Sequence, residues 1–367
     1  MSSFADPALS FDSPAWQTLL TRLADKTGEL NATENKWPKE QFDWFAETGV
    51  LGWVIPEEYG GSALSSAELN LGYELLASAC LCTTFVLTQR NGACQRIAGC
   101  EHEELKQRWL PDLCAGRKYA TVGISHLTTS RQHLANPAVA AKSTEDGYLL
   151  NGTIPWVTAA VAADCIVTGA TFEDGRQVLI ALDTARSGVS CDEPEELLAL
   201  TASQTGLVQL ADVEVPEQAL IAGPVPEVMK LGIGGGTGSL TTSALAVGLS
   251  RTAINLIREE AERRPDLEGI LNSLDQTRME LTRKMWLSNS GEVDPDDPEY
   301  SSATIRQQAN SLALRSSQAA LTATKGRGFV QGHPAERLVR EAMFFLVWSC
   351  PQPVAQAALR EFACIAE

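Results

Sequence analysis

The apolar residues of this chain change their spacing twice, and that double switch limits the fold more than any single motif. From about residue 14 to 120 they recur every three or four positions, as at Trp16, Leu19, Leu20 and Leu23, then at Leu69, Leu71, Tyr73, Leu75 and Leu76. This is the period of helices with one face turned to a core. Ser65-Ser66-Ala67-Glu68 offers a helix start, because a serine and a glutamate at that spacing can bond each other's backbone N–H. From about 121 to 225 the texture becomes short β-like runs at 138–141, 148–150, 165–170, 177–182 and 206–210, parted by turns such as Glu173-Asp174-Gly175. Asn151-Gly152 is a strong hairpin signal and predicts a tight turn there. Helical spacing returns at 245–261, 267–287, 301–324 and 334–348. The chain therefore reads as α+β in three parts: an N-terminal α-helical domain over 1–120, a central β domain over 121–225 and a C-terminal helical bundle over 226–367. At 367 residues it is long enough to bury a large core.

Charge narrows the partners. With 46 acidic against 29 basic residues the formal charge is −17, which argues against nucleic acid, whose phosphates require clustered cations. A polyanionic ligand would need a local basic patch on this acidic body. No apolar run is long enough to cross a bilayer, so no membrane association is expected. The start, Met1-Ser2-Ser3-Phe4-Ala5-Asp6, lacks the basic and apolar blocks of a secretory signal, so a cytoplasmic setting is expected. The nine cysteines are scattered without CxxC pairs or histidines at metal spacing, which predicts neither a zinc site nor a disulfide framework. Gly232 to Ser239 is glycine-rich but lacks the Gly-Lys-Ser/Thr ending of a phosphate loop, and reads as a hinge or close packing site.

Trp156-Val157-Thr158 places a flat aromatic and a hydroxyl side by side at a strand end. An indole can cover one face of a redox-active ring while a hydroxyl or backbone N–H bonds its edge. Alone, such a tripeptide is more often ordinary strand. Its surroundings are Phe45-Ala46-Glu47-Thr48-Gly49-Val50-Leu51-Gly52 with Ile55-Pro56-Glu57-Glu58-Tyr59-Gly60-Gly61, then Lys106-Gln107-Arg108-Trp109-Leu110-Pro111. Gly147 to Asp164, Asp212-Val213-Glu214-Val215-Pro216 and the stretch from His333-Pro334-Ala335-Glu336 to Ala342 follow in order. Together these motifs resemble the acyl-CoA dehydrogenase family over almost the whole chain. The resemblance implies that family's fold: an N-terminal helical domain, a central β-barrel or sandwich and a C-terminal four-helix bundle.

The resemblance also implies FAD between the β domain and the bundle. Trp156 and Thr158 match positions that cover the flavin and bond its edge, and Ser125 matches a hydroxyl on the pyrimidine side. Thr128, Thr129 and Ser130 retain hydroxyls in a segment that otherwise departs from the family, and a local turn explains them equally well. Lys325, Gly326 and Gly328 match a glycine turn that reaches the cofactor of a neighbouring subunit, with Lys325 in place of a glycine. That implies a homodimer or homotetramer. The family's pyrophosphate-binding arginine segment is shortened here, leaving Arg263 or Arg264 as stand-ins.

The largest departure concerns the base. Oxidation of an acyl thioester needs a carboxylate to take the proton beside the carbonyl, and a buried glutamate suits the task because desolvation raises its pKa. Ser349 occupies that position, and the alternative position on the helix after the β domain, within 235–248, holds no acid. Cys350 and His126 are the substitute candidates, each with a plainer reading as a packed residue and a loop residue. Pro351 and Pro353 are expected to disturb the helix that follows. The expected protein is an FAD-dependent oxidoreductase acting on an acyl-CoA, a carrier-bound thioester or a related small molecule, with a non-standard or missing base. A flavin-dependent monooxygenase and a non-catalytic homologue on the same fold are the alternatives.

Overall fold

The structure, a computed structural model, describes residues 11–28, 37–128, 136–234, 240–348 and 352–365. The N-terminal part holds α1 (Pro14–Lys26), α2 (Lys39–Glu47), α3 (Ser66–Ala79), α4 (Leu81–Ala98) and α5 (Glu103–Cys114). Ser13 opens α1 by accepting from the Trp16 N–H, with proline in the first turn. At α3 the anticipated reciprocal cap is present, Ser65 bonding the Glu68 N–H and Glu68 reaching back to Ser65. The central helix α4 buries most of its circumference. Its Arg90 lies in the interior, donating to the carbonyls of Leu51 (2.6 Å) and Leu113 (2.5 Å). One guanidinium thus ties the turn at Leu51 and the end of α5 to α4 by charge-assisted bonds.

The central part contains β1 (Ala120–Gly123), the single turn α6 (Ser125–Thr128), β2 (Val139–Ser143), β3 (Gly147–Val157) and β4 (Cys165–Thr171). It continues with β5 (Gln177–Asp183), β6 (Val189–Cys191), β7 (Gly206–Pro216) and β8 (Leu220–Val225). They form one sheet in the order β6-β7-β3-β2-β4-β5-β8, with β1 parallel to β4. The two halves join through a single residue pair, Ala140 with Thr171. They also face one another: a Cβ at Gly123 of β1 would lie 2.7 Å from the Ile154 side chain of β3. Glycine there lets two strand faces close together, as in a sandwich.

Asn151-Gly152 is not the predicted turn. Both residues lie inside β3, and the β2–β3 hairpin closes instead at Thr144, whose N–H bonds the Gly147 carbonyl. At Asn151 the pairing with β7 slips, and its side chain exchanges two bonds of 2.9 Å with Asp212, one to the carboxylate and one from the backbone N–H. Gly152 has φ +135° and a Cβ there would meet the Ala138 carbonyl at 2.1 Å, so the dipeptide serves a bulge.

The last part comprises α7 (Thr241–Ala261), α8 (Glu268–Ser290), α9 (Ser302–Gly328), α10 (Pro334–Met343) and α11 (Gln352–Phe362). The N-terminal α3 packs into this bundle. A Cβ at Gly248 of α7 would fall 2.4 Å from the Glu74 carbonyl, so glycine sets the approach of α7 to α3. Fully buried Glu74 bonds Arg251 of α7 (2.6 Å) and Thr282 of α8 (2.8 Å), with Arg278 at 3.6 Å. Pro353 does not break α11, because it stands in the first turn where a missing N–H has no consequence. Among the described residues no helix is long and apolar enough to cross a membrane.

Candidate active site

A cavity of about 1300 Å³ opens where the three parts meet. On its β side, Trp156, next to last in β3, has φ +57°, a left-handed backbone that turns the indole outward and leaves it 56 % exposed. Thr158 beside it is buried, its hydroxyl 3.1 Å from that of Thr205, which lies 2.9 Å from that of Ser203. Ser125 starts the α6 turn and donates to the Pro155 carbonyl (3.1 Å), fixing α6 against the end of β3. Thr128 completes this row of wall hydroxyls.

The bundle side is aromatic. Phe344 and Trp348 stack with centroids 5.0 Å apart, and Phe85 of α4 meets both edge-on at 4.8 and 4.9 Å. Two side chains of α9 hold the backbone that carries them: Arg306 donates to the Trp348 carbonyl and Asn310 to that of Phe345. A third wall, Leu197 to Leu200, is held by Arg340, which donates to the Leu198 carbonyl while paired with Glu336 at 2.8 Å.

The ionisable inventory of this wall is short. Among the described residues it contains Tyr73, Arg96 and Arg340, and no Asp, Glu, His or Cys. Burial pushes the Tyr73 phenol up, although Asn91 bonds its oxygen. It stays protonated at neutral pH and is a donor, not a base. The stretches next in sequence to wall residues, 129–135, 235–239 and 349–351, contain no Asp or Glu either.

Of the residues expected from sequence, Ser125, Thr128, Trp156 and Thr158 come together on the cavity wall. His126 does not join them, nor is it a surface loop residue. It is buried, its ring nitrogen Nε2 3.0 Å from the Gly169 carbonyl inside the β domain. Lys325, Gly326 and Gly328 lie at the end of α9 and are not part of the wall. Lys325 holds φ +57° and ψ −151°, a conformation suited to glycine. Arg264 has turned to the Ala323 carbonyl (2.9 Å) beside that segment. Ser349, Cys350, Thr129 and Ser130 lie outside the described residues. Phe85, Tyr73 and Arg96 were missed by motif reading, since each sits in a helical stretch without a signature. The one available signal was a cation, Arg96, at the end of an otherwise mostly uncharged run.

A helix–sheet–helix chain with its cavity at the junction is the fold of acyl-CoA dehydrogenases. Butyryl-CoA dehydrogenase from Megasphaera elsdenii superposes with a TM-score of 0.80 at 19% identity over 100% of both chains. The glutaryl-coenzyme A dehydrogenase complex with glutaryl-CoA superposes with a TM-score of 0.79 at 19% identity over 96% of each. Residues 15–117 match the model of the acyl-CoA dehydrogenase N-terminal domain. A probable acyl-CoA dehydrogenase of Bacillus subtilis, YngJ, is 26% identical over 87% of this chain and 86% of its own length. The mitochondrial short-chain specific enzyme of Sus scrofa is 24% identical over 84% and 78%. The chain thus has the acyl-CoA dehydrogenase fold, matches that family's N-terminal domain over residues 15–117, and is similar to acyl-CoA dehydrogenases over most of its length.

Proposed function

We propose that this protein binds FAD with the flavin ring against Trp156, Ser125 and Thr158 and acts on an acyl thioester without a wall carboxylate as base. The observation that carries this reading is the joint wall itself: an outward-held indole and three hydroxyls on one side, and a stacked aromatic floor across a gap of ligand size. These side chains fit a flat heteroaromatic ring with hydrogen-bonding edges. Bound there, a flavin supplies the capacity to take up or return a hydride. The chain's own residues then have distinct tasks. Trp156 covers the ring, Ser125 and Thr158 offer hydroxyls to its edge, and Phe85, Phe344 and Trp348 exclude water from the ligand body.

A wall without a carboxylate among the described residues departs from the base that thioester oxidation requires. Tyr73 cannot fill the gap because burial keeps its proton on. The acid-free wall favours, as a second reading, oxygen-using flavin chemistry, which needs no proton taken beside a carbonyl. For the cofactor's far half, the Lys325-Gly326-Arg327-Gly328 segment reaches a neighbouring copy. This supports a homodimer or homotetramer, and Phe329 and Val330 beside it are 80 % and 61 % exposed. The deciding experiment is an absorbance spectrum of purified protein titrated with FAD, followed by anaerobic addition of short- and medium-chain acyl-CoA. Yellow protein that binds FAD supports the flavoprotein reading. Bleaching by a thioester marks dehydrogenation, and reductase-dependent oxygen uptake marks the second reading. Protein that takes up no flavin refutes both.

A further inference from the structure

Arg96 is the one cation of the cavity wall that the described residues leave without a carboxylate. It stands in the last turn of α4 and is 6 % exposed. One terminal nitrogen, Nη1, donates to the Gly92 carbonyl of its own helix (2.8 Å). Its Nε is shielded from solvent and has no hydrogen-bond partner. Among the described residues it takes part in no ion pair, whereas Arg340, the other wall arginine, is paired with Glu336.

Gly234 closes over Arg96 from the segment after the β domain: a Cβ there would lie 2.5 Å from the Arg96 backbone nitrogen. That segment thus covers the root of the side chain, and the residue as a whole is buried. Desolvation lowers its pKa to about 10, which still leaves it charged at neutral pH. A buried cation with an idle donor is costly unless an anion meets it. Among the described residues the wall supplies none, which leaves the counter-charge to a ligand.

We propose that Arg96 is the anchor for an oxyanion, carboxylate or phosphate, carried by the ligand that fills this cavity. The planar guanidinium suits either group, since both present two oxygens to adjacent N–H donors. The inference rests on the acyl-thioester reading for the body of the ligand but not for the anion. A carboxylate would come from the far end of the acyl chain, and a phosphate from the thioester carrier.

Calorimetric titration of the purified protein separates these. Hexanoyl-pantetheine carries neither anion, adipoyl-pantetheine carries the carboxylate, and hexanoyl-coenzyme A carries the phosphates. One charged probe should bind about ten- to a hundredfold more tightly than the neutral one. Arg96→Gln should abolish that gain without weakening the neutral probe, and Arg96→Lys should retain part of it. The charged arm that gains identifies the source. Inorganic phosphate and glutarate, titrated alone and as competitors on the unmodified protein, test the cation even if Arg96→Gln fails to fold. If these ions bind through Arg96 while no thioester does, the thioester reading falls and the anion site stands. Equal affinity for all three thioesters, a gain that persists in Arg96→Gln, or no binding of any probe overturns the proposal, whatever the flavin spectrum shows.

Discussion

Trp156 holds a left-handed backbone that glycine adopts more cheaply, and its indole still faces the cavity. Strain of this kind persists where the position of a side chain matters more than local comfort. Trp156→Gly should therefore raise stability by about 1 kcal/mol, read from the urea midpoint, while weakening FAD binding at least about tenfold. A variant that loses stability and keeps its FAD affinity would remove Trp156 from the flavin wall. Glu336 gives a pH signature. The Arg340 hydrogen bond, more than any other influence, holds its carboxyl below the ordinary 4.5. A depressed carboxylate adds stability above its unfolded value, and that contribution disappears as pH falls through the lower folded value. The contribution should fade from about pH 4.5 downward, and Glu336→Gln should flatten that limb of a stability–pH curve. It should also loosen Arg340 and the Leu198 carbonyl it holds.

At the scale of elements, Glu74 joins α3 to two helices far along the sequence, α7 and α8. Its partners Arg251 and Thr282 lie 177 and 208 residues away. Glu74→Ala leaves Arg251 and Arg278 without their shared carboxylate and should cost about 3 kcal/mol in chemical denaturation. Glu74→Gln, which can still bond Thr282, should cost less. None of this was legible in the sequence, where Glu74 occupies an ordinary helical position between Tyr73 and Leu75. Helices themselves were readable because one buried face imposes a period, and the Ser65–Glu68 cap marked a true boundary. Strands were harder. β1, β6 and β8 are three to six residues long, too short to establish alternation. Asn151-Gly152 misled because the chemistry that suits a tight turn also suits a bulge. The row of Ser125, Thr128, Trp156 and Thr158 could be expected from local motifs, whereas Arg96 entered the site only through folding.

On the scale of the whole molecule, the cavity belongs to no single part of the chain. α4 supplies Phe85 and Arg96, the β domain supplies Trp156 and Thr158, and the bundle supplies Phe344 and Trp348. An N-terminal piece carrying residues 1–225 keeps α3 but lacks α7, against which Gly248 lets α3 rest. Such a piece should bind a hydrophobic dye and show no cooperative thermal transition, while the full chain melts in one step. Independent folding of the piece would show that the helical parts are less dependent on each other than their packing indicates.

That dependence has a consequence for how the protein is made. Glu74 leaves the ribosome 177 residues before Arg251, an interval of roughly ten to thirty-five seconds at ordinary elongation rates. Throughout it, the nascent α3 carries a carboxyl group and an apolar flank intended for a helix that has not been translated. Chaperone capture during that wait, and premature sticking to neighbouring polysomes, are the hazards that a carboxyl-terminal lock builds into every copy.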